Sequence, residues 1–307
     1  MNESILITGA NIGLGKETAR QLALRKETKK VILFCRNQAK AEAAKKDLEA
    51  ETGKKIFEII IGDVSDANSV RKAVEKIKEP IDAVILNAGG MVGKTAGKVT
   101  PSGMNELAAT NILGHVILVD ELIKHDKLKK TVLLASSEAI PGVKALGMKP
   151  VSMKTSSVDE FAAVLDGSFF GNKFDAMQAY GYVKYVATMW MFSMARKYPD
   201  LKFVAMSPGN TGGTQAPDNI PQPMKFMITY IMMPIVMPLM GVVHKLEVGA
   251  KRFVDGISDE QYKSGIFYAS KEGKLTGEVV DQATFFVDLK NNSFQDNADK
   301  AIHRFIK

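Results

Sequence analysis

The sequence predicts an α/β fold, a single doubly wound parallel sheet of about seven strands with helices on both faces. Three observations lead there. Short aliphatic runs alternate with longer amphipathic stretches, the rhythm of repeated strand–helix–strand units. The runs are apolar almost throughout instead of alternating with polar residues, so each strand is covered on both faces. A glycine-rich turn at residues 8–15 joins the first run to the first amphipathic stretch, as a phosphate-binding turn would.

Strands are expected at Ser4–Thr8, Val31–Cys35, Ile56–Ile61, Ala83–Leu86, Thr131–Ala135, Phe203–Ser207 and Ile266–Ala269. Amphipathic spacing predicts helices over Gly13–Arg25, Ala39–Glu51, Asn68–Lys78, Gly103–Ile123 and Ala179–Arg196. Two segments interrupt this order. Glu138–Gln178 carries Pro, Gly and Ser without a clear period and reads as an insertion over the site entrance. Pro217–Val243 gathers five prolines with six methionines and reads as a hydrophobic substrate lid. Its run from Phe226 to Val243 is broken by Pro234 and Pro238, which argues against a membrane span. Shallow membrane contact or a subunit interface is the competing reading of that apolar surface.

The 307 residues are expected to form one domain, 1–307, and 46% hydrophobic against 24% charged residues is the balance of a globular chain. The single cysteine, Cys35, cannot form an intrachain disulfide, and the N-terminus runs into Ile5 without a basic leader, so the expected location is cytoplasmic. A net charge of +7 would suit nucleic acid, but the lysines and arginines are dispersed over helical segments as solvated faces, so no nucleic-acid partner is expected. His115, His125, His244 and His303 lie without ligand spacing, so no metal is expected.

Chemistry concentrates at the expected carboxyl ends of the strands, where open α/β sheets bind ligands. Gly9, Asn11, Ile12, Gly13, Leu14 and Gly15 form the turn after the first strand: glycines permit a sharp bend and close backbone approach, and the following helix offers free N–H groups to a phosphate. Asp63-Val64, Asn87-Ala88-Gly89, Ser136-Ser137 and Ser207-Pro208-Gly209 end later strands, and Asn111 sits on the long helix between the fourth and fifth. Tyr180 and Lys184 stand four apart on a predicted helix and so share one face. Of the seven tyrosines, Tyr198 also has a lysine four on, but Pro199 prevents a shared helical face. An ammonium about 5 Å from a phenol, at an effective dielectric near 20, would favour the phenolate by roughly 3 kcal/mol, or about two pKa units.

This ordered set, Gly-x-x-x-Gly-x-Gly through Tyr-x-x-x-Lys, resembles the short-chain dehydrogenase/reductases over residues 4–307, a Rossmann-type family. The resemblance implies NAD(P)(H) as cofactor and a catalytic set of Asn111, Ser137, Tyr180 and Lys184. In that set Tyr180 is general acid or base, Ser137 holds the substrate oxygen, Lys184 reaches the nicotinamide ribose, and Asn111 anchors a water linking Lys184 to solvent. Ser136 is the minor alternative to Ser137. The resemblance also implies cofactor contacts at Asp63, Val64, Asn87, Ala88, Gly89, Pro208, Gly209 and Thr211. Cys35-Arg36-Asn37 lacks the acidic residue that would hold a ribose 2′-hydroxyl, and Arg36, with Lys40 one turn on, can pair with a 2′-phosphate instead, so NADP(H) is expected.

Tyr180 follows Ser137 by 43 positions, more than in most members. With the 174–180, 248–252 and 263–268 stretches, this is similar to the retinol dehydrogenase and protochlorophyllide reductase branch. Where the latter carries a functional cysteine after the Pro-Gly turn, this chain has Asn210. The expected function is hydride transfer between NADP(H) and an apolar carbonyl or alcohol, by a monomer or homodimer acting on a hydrophobic small molecule. Reduction of a conjugated C=C bond and non-catalytic NADP(H) sensing are the alternatives.

Overall fold

The computed structural model describes residues 2–142, 147–172, 174–212 and 243–306. An eight-stranded sheet runs in the order β3-β2-β1-β4-β5-β6-β7-β8, with strands β1 (Ser4–Thr8), β2 (Lys30–Cys35), β3 (Phe57–Ile61), β4 (Ile81–Leu86), β5 (Leu128–Ala135), β6 (Lys202–Met206), β7 (Ile266–Ser270) and β8 (Val279–Asp281). Strands β1 to β7 are parallel. The eighth, which the sequence reading lacks, pairs antiparallel with β7 through Ala269 and Val280. Three residues bounded by a Gly-rich turn carry too little pattern to announce a strand.

Helices α1 (Gly13–Ala23), α2 (Gln38–Thr52) and α3 (Ala67–Glu75) follow the first three strands. The next helix, α4, begins at Glu106–Ala108, passes through a π-helical segment Ala109–Leu113 and continues over Gly114–Lys124. Then come α5 (Val158–Asp166), α6 (Ala176–Lys197), α7 (Leu246–Ser258) and α8 (Asn292–His303).

Double coverage of the sheet follows from the pleat. In β1, Leu6 packs on the side of α3, α4, α5, α6 and α8, while Ile5 and Ile7 pack on the side of α1, α2 and α7; all three are fully buried. With both faces covered, apolar side chains are needed at successive positions, which is why the strands read as continuous runs.

The stretch expected as an irregular insertion contains α5. Ser157 caps it, accepting from the Glu160 amide at 3.2 Å, Gly167 closes it at φ 93°, and Phe161, Val164 and Leu165 enter the core. Ser-x-x-Glu before an apolar run is a helix-start signal that could have revealed it. Of the lid segment Pro217–Val243, all but Val243 lies outside the described residues.

The chain runs outward from β1 to β3, returns to β4 on the other side of β1, and so opens a crevice beyond the carboxyl ends of β1 and β4. That crevice positions the site.

Candidate active site

The glycine turn is tied to its neighbours by close packing. Gly9 donates to the Phe34 carbonyl at 2.8 Å and, like Gly13, has a positive φ, 68° and 57°, which glycine adopts without a Cβ penalty. A Cβ at Gly15 would run into the Gly9 carbonyl and stand 2.6 Å from Asn87 Nδ2. Ile12 is exposed and leaves the α1 N-terminus without a side-chain cap; Asn11 and Leu14 beside it are half-buried. Uncapped N–H groups at a helix start suit an anion.

Thr8, which sequence reasoning left out of the site, joins β1 to β4. Its Oγ1 accepts from the Asn87 and Ala88 amides, each at 2.9 Å, and lies 3.0 Å from His115 Nε2. Asn87 Nδ2 returns a bond to the Thr8 carbonyl at 2.9 Å. The Asn111 carbonyl, 3.2 Å from His115 Nδ1, can only accept, so Nδ1 carries the hydrogen and the neutral ring's Nε2 takes the Thr8 proton in preference to the Ile85 carbonyl at 3.4 Å. Burial, then the charge of Lys184, hold this imidazole down at about 3, opposed by the bond to Asn111, so it is neutral at every physiological pH.

Asn111 lies in the π-helical segment of α4, a local widening common at functional sites. Its Oδ1 accepts from Gly90 N at 3.0 Å, and Nδ2 donates to Gly90 O at 3.0 Å and Leu107 O at 2.8 Å. Gly89, at φ 135°, would place a Cβ 2.5 Å from Asn111 Oδ1. Gly114 is a second residue that the sequence reading passed over: its amide donates to Val64 O at 2.8 Å, and any Cβ there would collide with that carbonyl. Asp63 is half-buried and accepts from the Ser65 amide (2.9 Å) and hydroxyl (2.7 Å). Asp66 caps α3, accepting from the Asn68 and Ser69 amides.

Arg36 and Lys40 are exposed just beyond β2, with Asn37 between them capping α2 by accepting from Lys40 N at 2.9 Å. Past β6, Gly209 has φ 77°, and the Pro208 carbonyl accepts from His244 at 2.7 Å. Thr211 is buried, with Oγ1 3.2 Å from Pro208 O and 3.1 Å from both Gly209 O and His244 Nε2.

The remaining groups meet where β5 ends and α6 begins. Asp175 caps α6 by accepting from Met177 N at 2.9 Å. Gly181 lets that helix approach the serine loop, since a Cβ there would stand 2.7 Å from the Ala139 carbonyl. Ser137 is hydrogen-bonded to the Tyr180 phenol, and its Oγ accepts from Ala139 N at 3.1 Å. Ser136 is buried and bonded to Thr188 at 2.8 Å inside the core, which separates the two serines. Lys184 Nζ is 5.5 Å from the centre of the Tyr180 ring and donates to the Ala135 carbonyl at 2.9 Å.

One expectation is overturned here. The Tyr180 phenol is pushed well above, not below, its ordinary value: burial is the largest cause, the Glu138 carboxylate adds to it, and the Ser137 bond opposes both. Burial also lowers Lys184 to about 8. The ammonium faces the Ala135 carbonyl, and desolvation of the phenolate outweighs its attraction. Glu138 has no counterpart in the sequence reading, because its partners lie up to 132 residues away.

Among the described residues, no group of three or more His, Cys, Asp or Glu could hold a metal, and no helix is long and apolar enough to cross a membrane.

The short chain dehydrogenase family pattern matches residues 3–143. The bovine dehydrogenase/reductase SDR family member 12 is 32% identical over 213 residues, 67% of this chain; the match spans about 60% of that relative's length. The chloroplastic protochlorophyllide reductase of Daucus carota is 30% identical over 311 residues, covering 91% of this chain and 74% of that protein. In fold, the NADPH-bound carbonyl reductase from chicken fatty liver superposes with a TM-score of 0.58 at 18% identity, covering 90% of this chain and 99% of that one. The sequence relation to the carrot enzyme, over nearly the whole of a chain whose strand ends carry this glycine turn and this Ser–Tyr–Lys cluster, places the protein in the short-chain dehydrogenase/reductase family.

Proposed function

We propose that the protein is an NADP(H)-dependent oxidoreductase interconverting an apolar carbonyl compound and its alcohol. The observation that carries this reading is the Ser137–Tyr180–Lys184 cluster beside the glycine-lined crevice. The residues present fit a dinucleotide. Gly9 and Gly15 let the turn pack against Asn87 and Ala88, a Cβ at Gly13 would enter open space, the uncapped start of α1 suits an anion, and Arg36 and Lys40, exposed beyond β2, could pair with a 2′-phosphate. When bound, NADPH supplies a hydride.

The chain's own residues handle the proton. Ser137 holds the substrate oxygen, and Tyr180, protonated at neutral pH because its phenolate is disfavoured, gives its O–H proton to that oxygen as negative charge develops there. Lys184, buried beneath the tyrosine, offers positive charge to the phenolate left behind. In alcohol oxidation the same phenolate takes the proton. Asn111 keeps the Gly89-Gly90 backbone against α4, and Thr8 with Asn87 keep β1 and β4 in register at the crevice. Met177, exposed one helical turn before Tyr180, supports an apolar rim.

The relation to the carrot protochlorophyllide reductase favours a second reading, reduction of a conjugated C=C bond with Tyr180 as the same proton donor. An NADPH-oxidation screen over aldehydes, ketones, quinones and enones, with mass analysis of products, decides between them. An alcohol product supports the first reading and a saturated ketone the second. Tight NADPH binding with no oxidation across the panel would point to a cofactor-sensing protein and refute both.

A further inference from the structure

The turn after β6 is held by a side chain from well along the sequence, and the mechanism above gives that side chain no part. His244 precedes α7 and is half-buried. Its imidazole Nε2 lies 2.7 Å from the Pro208 carbonyl and 3.1 Å from Thr211 Oγ1, 33 positions away. A carbonyl only accepts, so Nε2 carries the ring hydrogen and donates to Pro208 O. Thr211 Oγ1 stands 3.2 Å from that carbonyl and 3.1 Å from Gly209 O, and with one proton it serves only one of the two, so the imidazole is the donor that Pro208 O keeps. The ring lies against Gly209, where a Cβ at φ 77° would stand 2.7 Å from His244 Cε1. The His244 backbone makes a separate bridge: its amide donates to Asn210 O at 3.0 Å and its carbonyl accepts from Gly212 N at 2.9 Å. Truncating the ring therefore spares the bridge.

The order of strands says which part of a dinucleotide this turn meets. Arg36 stands beyond β2, the glycine turn follows β1, and the Ser137–Tyr180–Lys184 cluster lies beyond β5, in a sheet ordered β3-β2-β1-β4-β5-β6. A dinucleotide with its 2′-phosphate at Arg36 and its pyrophosphate at the glycine turn brings its nicotinamide to the end of β5, where the proton donor waits. The β6 turn is the next strand end beyond, and Ser136 N donates to Met206 O at 2.9 Å where the two strands finish. It borders the nicotinamide and is remote from Arg36. We infer that His244 is a positioning residue: by donating from Nε2 to the Pro208 carbonyl it fixes the Pro208-Gly209 turn against which the nicotinamide end of NADPH rests, and it has no part in holding the adenosine end. The inference rests on the NADP(H) reading proposed above.

The test is calorimetric titration with two ligands, NADPH and adenosine 2′,5′-bisphosphate, which carries the adenosine end without nicotinamide, so that it needs no turnover. His244→Ala takes the donor from the Pro208 carbonyl and should weaken NADPH binding by about tenfold, while the bisphosphate should bind within about twofold of the unmutated protein. His244→Gln, whose side-chain amide can donate to the same carbonyl, should bring NADPH affinity back to within about threefold. In His244→Ala, equal losses for the two ligands or no loss at all would reduce the ring to a structural fastening and overturn the inference, as would a Gln variant as weak as the Ala one. If neither variant folds, the imidazole ¹⁵N resonances of the unmutated protein decide: those of His244 should shift with NADPH and stay put with the bisphosphate. Resonances that ignore NADPH, or answer both ligands equally, overturn the inference. An unmutated protein that binds neither ligand would refute the NADP(H) reading and the inference with it, an outcome distinct from equal losses in a variant.

Discussion

Gly181→Ala is a small perturbation whose effect on the site can be worked from the structure. The new Cβ would stand 2.7 Å from the Ala139 carbonyl oxygen. A relaxed C···O contact is about 3.3 Å, so the first turn of α6 and the Ser137–Ala139 loop must part by roughly 0.6 Å. That is the gap across which Ser137 meets Tyr180. If a 1 Å misplacement costs about a hundredfold in rate, this separation should cost kcat roughly 10- to 20-fold. Stability should fall by about 0–2 kcal/mol, because alanine in place of glycine gains about 1 kcal/mol of helix propensity while the overpacking costs about 1–3 kcal/mol. Cofactor affinity should stay within about twofold of the unmutated protein, since the glycine turn is untouched. Steady-state kinetics with the best substrate from the screen, NADPH titration and thermal unfolding together read all three. An unchanged kcat would refute the view that close approach at Gly181 sets the Ser137–Tyr180 geometry.

Arg36→Ala should weaken NADPH binding by about 10- to 100-fold, the worth of a charge-assisted bond, and leave NADH binding nearly unchanged; equal losses in a titration calorimeter would contradict the 2′-phosphate assignment. His303 is held at about 10 by Asp120 on α4 and by Asp299 one turn earlier on its own helix. Its stabilising contribution should therefore be complete below about pH 6.5 and disappear as pH rises through 10. With its side chain 40% exposed, His303→Gln should cost about 1–2 kcal/mol at pH 6 and nothing near pH 10.5, which urea unfolding at the two pH values would check. Gly114→Ala, whose Cβ would collide with Val64 O, should destabilise the fold by about 1–3 kcal/mol and loosen the Asp63-Val64 turn. A melting temperature unchanged within a degree would show that α4 shifts freely there.

What the sequence made legible is local. The seven parallel strands stand within a few residues of the aliphatic runs because burial on both faces demands continuous apolar sequence, and Ser4–Thr8 matches to the residue. The turn at Gly9–Gly15 and the Tyr180–Lys184 pair were equally plain, since each is a short spacing with a geometric consequence. Elements whose signals are weak or remote were not. The strand at Val279–Asp281 is three residues long, and α8 announces itself only by the Asn291 cap. Thr8 and Glu138 act through partners 69 to 132 residues distant, His115 meets Thr8 107 residues away and Arg252 meets Glu138 114 residues away, so no window of sequence shows them together. The direction of the Tyr180 shift failed for the same reason. The spacing to Lys184 is visible in sequence, while burial of the phenol and the charge of Glu138 are properties of the folded chain.

The central claim is that Tyr180 delivers the proton that completes reduction of a carbonyl. Single-turnover oxidation of bound NADPH by an accepted aldehyde or ketone, compared between the unmutated protein and Tyr180→Phe, tests it most directly. In Tyr180→Phe the NADPH affinity should stay within about twofold and the rate should fall by about 10²- to 10⁴-fold, because the phenyl ring keeps the shape and loses the transferable proton. A Tyr180→Phe protein that oxidises NADPH at the unmutated rate would contradict it.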